Sequence, residues 1–85
     1  MKKIDPKIYN LSTRIKLFED LNKQIVITID RKSRIIMKDG LRVLEIAKKI
    51  KNHAKKQQVS LSTSAPICGK TKDFLKKNDI IIKPI

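Results

Sequence analysis

Between residues 59 and 82 the chain reads VSLSTSAPICGKTKDFLKKNDIII, and its middle, Ser64 to Thr71, has the composition of an anion-binding loop. A loop that leaves a strand and enters a helix gathers free backbone N–H groups at the helix start, where the helix dipole adds partial positive charge. Gly69 lets a backbone approach an anion closely, Lys70 supplies a full charge, and Thr71 offers a hydroxyl. The phosphate-loop spacing G-x-x-x-x-G-K-[ST] is met at Gly69, Lys70 and Thr71, but Ser64 stands where the first glycine belongs. Pro66 also removes one N–H from the cradle. Residues 72–85 leave no room for a downstream metal-binding aspartate, so the expectation is a simple phosphate or carboxylate site rather than nucleotide hydrolysis. Ordinary helix-capping chemistry by Gly-Lys-Thr accounts for the same residues.

Cys68 sits at or just before this helix start, a position that favours the thiolate. It is therefore a candidate reactive thiol, set against the alternative of a small buried hydrophobe. As the single cysteine it forms no internal disulfide and no cysteine zinc cluster, and the one histidine, His53, makes no histidine-rich metal site. His53 lies among lysines with no identifiable partner to orient it for catalysis. Asp30, Asp39 and Glu45 surround one segment and are the candidates for a Mg²⁺ cluster. Asp30 is equally explained as a turn residue and Asp39 as a helix cap. No metal, cofactor or catalytic set is expected.

Charge gives the broadest signal. Lys and Arg number 21 against 8 acids, a net charge of +13. Such a field attracts nucleic acid, an acidic protein or an anionic membrane, and it also serves simply as a solvated surface. Three groups of cations stand out: Arg31, Lys32 and Arg34; Lys48, Lys51 and Lys55 with their lysine neighbours; and Lys70 followed by Lys72, Lys76 and Lys77. Lysine outnumbers arginine, which disfavours base-specific reading by bidentate arginine. The aromatics are Tyr9, Phe18 and Phe74 alone, too few for a base-stacking platform. Backbone-directed binding to duplex DNA or structured RNA is the leading expectation. Docking of an acidic protein, and an anion-binding protein or small enzyme centred on Ser64, Gly69, Lys70 and Thr71, are the alternatives.

These groups need elements to hold them. Ile8, Leu11, Ile15, Phe18 and Leu21 recur at helical spacing, with Asp5-Pro6 as a start signal, so a first helix is expected to end near Asn22-Lys23. Residues 24–30, QIVITID, alternate as a strand, and 34–38, RIIMK, read as its antiparallel partner across a turn at 30–33. Leu41, Leu44, Ala47, Ile50 and Ala54 mark a second helix from about Gly40 to Lys56, capped by Asp39. A strand at Val59–Thr63, a short helix at Lys70–Lys77 with Asn78 as its left-handed terminus, and a strand at Ile80–Ile82 complete the order.

The expectation is thus a single α/β (α+β) domain over residues 1–85, ordered α-β-β-α-β-α-β. It has a four-stranded mixed sheet, in which the last three strands run parallel, and residues 1–6 form a flexible lead-in. No apolar run approaches the ~18 residues of a membrane span, and the N-terminus lacks a signal-peptide core, so the expected compartment is the cytoplasm. An exposed edge strand would allow a homodimer.

Overall fold

The computed structural model describes residues 2–84 and shows a small α+β fold in which two helices pack on a five-stranded mixed sheet. The strands are β1 (Lys2–Ile4), β2 (Lys16–Glu19), β3 (Ile25–Ile29), β4 (Val59–Thr63) and β5 (Ile81–Pro84). They lie side by side in chain order. The helices are α1 (Met37–His53) and α2 (Gly69–Lys77). β1, β2 and β3 form an antiparallel meander, whereas β3, β4 and β5 run parallel.

Parallel neighbours need crossovers, and α1 and α2 supply them. Two successive right-handed crossovers moving the same way across a sheet place both helices on one face. The helices accordingly touch: a Cβ built on Gly40 of α1 would come within 2.8 Å of the Thr71 methyl of α2. The core lies between this helical layer and the sheet, where Leu17, Ile25, Ile27, Val59 and Leu61 meet Val43, Ile46, Ile50, Leu75 and Ile80.

The other sheet face carries no helix. Its rows follow from the register: Lys3, Phe18, Val26, Ser60 and Ile81 in one, and Lys16, Thr28, Ser62 and Lys83 in the next. Val26 and Ser60 are nevertheless buried. The Lys83 ammonium spans this face, donating to Asp20 Oδ2 at 3.2 Å and Gln24 Oε1 at 2.9 Å. Asp20 is held below the usual carboxylate range, first by the Gln24 backbone N–H and also by Lys83.

Four sequence expectations are corrected. The first helix is replaced by β1, a 3₁₀ turn at Pro6–Tyr9 and β2. Asp5 does cap that turn, accepting from the Lys7 N–H, but Asn10 adopts the left-handed conformation (φ 59°) and stops it. Residues 2–4 are paired strand rather than loose lead-in; Met1 lies outside the described residues. Residues 34–38 form no strand and no hairpin: Ile35 makes one isolated parallel bridge to Ile67, and α1 starts at Met37. The sheet therefore has five strands, and Ile25–Ile29, expected to join through a hairpin, is its middle strand, antiparallel to β2 and parallel to β4.

Asp39 works one turn later than a cap residue would. It is the third residue of α1, and its Oδ2 accepts from the Ile36 backbone N–H at 2.9 Å and from Arg31. The Arg31 guanidinium and that N–H hold its carboxyl below the usual range. Asp39→Ala is expected to cost about 1–2 kcal/mol, from a charge-assisted hydrogen bond and a dipole contact. Because the folded pKa is lowered, this contribution is complete above the unfolded pKa and disappears as pH falls through the folded value. Thermal melts from neutral pH down to about pH 2 should show the gap between wild type and variant closing with acid; a gap constant with pH would refute the assignment.

Candidate nucleic-acid interface

The concave surface lies at the end of the sheet where β4 and β5 begin. α1 runs back antiparallel to the strands and delivers Lys51 to this end, and the turn after His53 adds Lys55 and Lys56. From α2, Lys72 and Lys76 stand at i and i+4 and so share one face. These five lysines line a groove of about 730 Å³ whose floor is the segment Ile80, Ile81 and Ile82; Ile80 is buried, and the register sets the Ile81 side chain on the helix-free face of the sheet. Asp79 is the one acid on the lining.

The floor is placed by how α2 ends. Asn78 caps the helix, its side-chain amide donating to Phe74 O at 2.8 Å. Asp79, not Asn78, takes the left-handed conformation (φ 59°), which corrects the sequence assignment. The Asp79 N–H then bonds Lys76 O and the Ile80 N–H bonds Leu75 O, a paired closure that turns the chain straight into β5. β5 is the last strand of the sheet, so one of its edges has no partner strand.

Among the described residues the ion pairs are Arg31 with Asp39 and Lys83 with Asp20. Among the described residues none of the five groove lysines is paired with an acid. Like charges gathered in a concavity focus the field and raise the local concentration of anions.

Of the cations singled out from sequence, Lys51 and Lys55 lie in this groove. Lys48 is exposed on α1 but does not line it. Arg31, Lys32 and Arg34 belong to the segment after β3, and Lys70 opens α2, so these four sit near the opposite strand ends. Five strand residues separate the two ends, about 15 Å. Arg31 is occupied structurally, donating to Ser33 O, Arg34 O and Asp39. The cations thus divide into two regions. Lys72 and Lys76, which the sequence suggests only as neighbours of Lys70, complete the groove, and their i, i+4 spacing was the available signal.

The Ser64–Thr71 loop has a different geometry from an open cradle. Ser64 Oγ donates to Asp30 Oδ1 at 2.6 Å, and the Ala65 N–H donates to Thr63 Oγ1. Pro66 O accepts from the Ile35 N–H, and the Cys68 N–H donates to Ile35 O, which stitches the loop to the strand-like Ile35. Thr71 is fully buried, and its hydroxyl has no hydrogen-bond partner. Its methyl packs where α1 approaches closely at Gly40, a closeness that the missing side chain allows. Gly69 and Lys70 remain exposed. The Lys70 and Thr71 N–H groups bear on the half-buried Cys68 thiol and draw its pKa down, with Arg34 assisting.

Of the remaining candidates, Asp30 and Asp39 border one pocket with Arg31, and Glu45 lies outside it. Asp30 is bound to Ser64 and Asp39 to Arg31, while Glu45 is exposed on α1. Among the described residues no group of three His, Cys, Asp or Glu side chains is placed to hold a metal ion. His53 meets the Tyr9 ring edge-on, with centroids 5.7 Å apart, and so links α1 to the 3₁₀ turn. Among the described residues no helix is long and apolar enough to cross a membrane.

No protein-family model matches the sequence, and no curated protein matches it. The fold does match solved structures. EndoMS in its apo form and an EndoMS–dsDNA2 complex each align with a TM-score of 0.66 at 14% identity, over 82% of this chain. The chain spans 33% and 29% of the length of those two proteins. At that identity the likeness is one of fold.

Proposed function

We propose that this domain binds nucleic acid, with Lys51, Lys55, Lys56, Lys72 and Lys76 engaging backbone phosphates. The observation that carries the reading is the convergence of five unneutralised lysines on one groove. The likeness to a protein whose solved structures include a complex with double-stranded DNA supports it at the level of fold. The second cationic region, with Arg31, Lys32, Arg34 and Lys70, extends the attractive field without forming the contact surface. The role is binding rather than catalysis.

The test is a salt titration of binding to duplex DNA, structured RNA and polyglutamate, followed by fluorescence anisotropy. Full use of the groove should give a slope of log K against log salt between about −3 and −5 for nucleic acid. Affinity for polyglutamate that equals or exceeds it at about 0.15 M salt would overturn the reading. That outcome would favour docking of an acidic protein, a second reading supported by the unpaired edge of β5 beside the lysines.

A further inference from the structure

We propose that the first turns of α1 dock an acidic amphipathic helix of another protein. Ile36, Met37 and Leu41 stay 49%, 41% and 54% exposed there. Met37 and Leu41 stand at i and i+4 and so share one face. The core makes no use of that face, because α1 buries Val43, Ile46, Ala47 and Ile50 on its other side. Single exposed apolar side chains are ordinary, whereas three gathered within residues 36–41 mark a place where another surface settles.

Charge and shape identify the occupant. A concavity of about 460 Å³ runs along the same flank of α1. Leu41, Lys38, Arg42 and Lys49 border it from the helix, and Ser12 and Ile15 border it from the segment before β2. Glu45 is the one acid on this lining, and among the described residues none of the three cations is paired. From Met37 to Lys49 the helix rises about 18 Å, room for roughly three turns of a partner helix. Such a helix sets apolar anchors on Met37 and Leu41 and acids against Lys38, Arg42 and Lys49. A second copy of this chain, at +13, is repelled instead. A phosphate backbone would meet the cations but leave the apolar side chains in water. A lipid surface is flat where this one is concave, and α1 already turns its broad apolar face to the core.

The experiment follows a labelled peptide of about 16 residues by anisotropy on the full chain, with leucines on one helical face and glutamates elsewhere. A scrambled peptide of the same composition and vesicles containing phosphatidylserine are the comparisons. The amphipathic peptide should bind at least about tenfold more tightly than the scrambled one near 0.15 M salt. Leu41→Asp should weaken it about tenfold or more, while Leu41→Met keeps it. Leu41 is exposed, and matched thermal melts verify that each variant is folded. Lys72→Glu with Lys76→Glu should change peptide binding less than about twofold, since α1 places Lys51 of the groove about 20 Å from Met37. The same separation means that a failure to bind nucleic acid leaves this surface standing. Equal binding of the two peptides, or loss of binding on reversing Lys72 and Lys76, would overturn the inference. Capture by the vesicles alone would put a lipid surface in the helix's place, and no binding at all would remove the docking surface altogether.

Discussion

Reversing two groove charges, Lys72→Glu with Lys76→Glu, is expected to weaken nucleic-acid binding about a hundredfold at low salt, measured by anisotropy. Each substitution removes one phosphate contact and places a carboxylate where a phosphate would sit. The combined loss is about 3 kcal/mol if each reversal costs near 1.4 kcal/mol. Both residues are exposed on α2, so folding stability should move by no more than about 0.5 kcal/mol. The informative contrast is Lys32→Glu with Arg34→Glu at the far strand ends. It changes net charge equally but leaves the groove whole, and is expected to lower affinity less than about fivefold. Equal losses from the two pairs would mean that the protein binds polyanions through charge alone.

Leu61→Ala carries the largest expected cost in stability, about 2–5 kcal/mol by urea denaturation. Leu61 is fully buried in β4, between Ile27 of β3 and Ile82 of β5 in register. Truncation there removes apolar contacts and leaves a cavity in a tightly packed layer. A domain of this length has ~4–13 kcal/mol in total, so the variant loses a large share of it. Leu21→Ser provides the contrast. The helical reading of residues 8–22 puts Leu21 on the buried stripe, yet it is 99% exposed. Its replacement should change stability by under about 0.5 kcal/mol. A large loss at Leu21, or a negligible one at Leu61, would contradict the fold.

The sequence is most legible where a pattern runs long enough to be counted. Ile25, Ile27 and Ile29 alternate over a whole strand, and α1 sustains an apolar stripe through Val43, Ile46, Ala47 and Ile50. The strand matches its reading apart from its ends, whereas the helix buries Val43 and Ile46 with Ala47 and Ile50 and leaves Leu41, expected on the stripe, exposed. The N-terminal third misleads because its strands have three and four residues, too short to display a period of two. Five apolar residues there fall at helical spacing, but Leu17, which belongs to none of those positions, is the one driven fully inside by β2. Residues 35–37 mislead for a related reason. They form an apolar run, but only Ile35 is buried, while Ile36 and Met37 stay half exposed at the start of α1. Asp39 and Gly40 look like a break in sequence. In the fold, Asp39 satisfies the helix start and Gly40 makes room for α2.

The candidate site was legible as charge but not as shape. Lysines at the end of α1 and along α2 are plain in the sequence. Their meeting depends on two crossovers that return both helices to the same end of the sheet. The apolar run Ile80–Ile82 reads as a strand covered on both faces; Ile80 is buried, but Ile81 is half exposed because β5 is outermost, which no local pattern records. The Ser64–Thr71 motif shows a mixed case: Ser64 is held by Asp30 and Thr71 packs against Gly40, while Gly69 and Lys70 stay exposed.

β3 is bonded on both sides, and its two partners differ greatly in how far away they lie along the polypeptide. Ile25 pairs with Glu19 on one side and with Val59 on the other. Closing the longer loop costs about 1.5 kcal/mol more in chain entropy, by the logarithmic dependence on loop length. Connectivity therefore favours assembling the meander first. The parallel half, with the lysine groove built on it, is gained only once the later crossovers are in place.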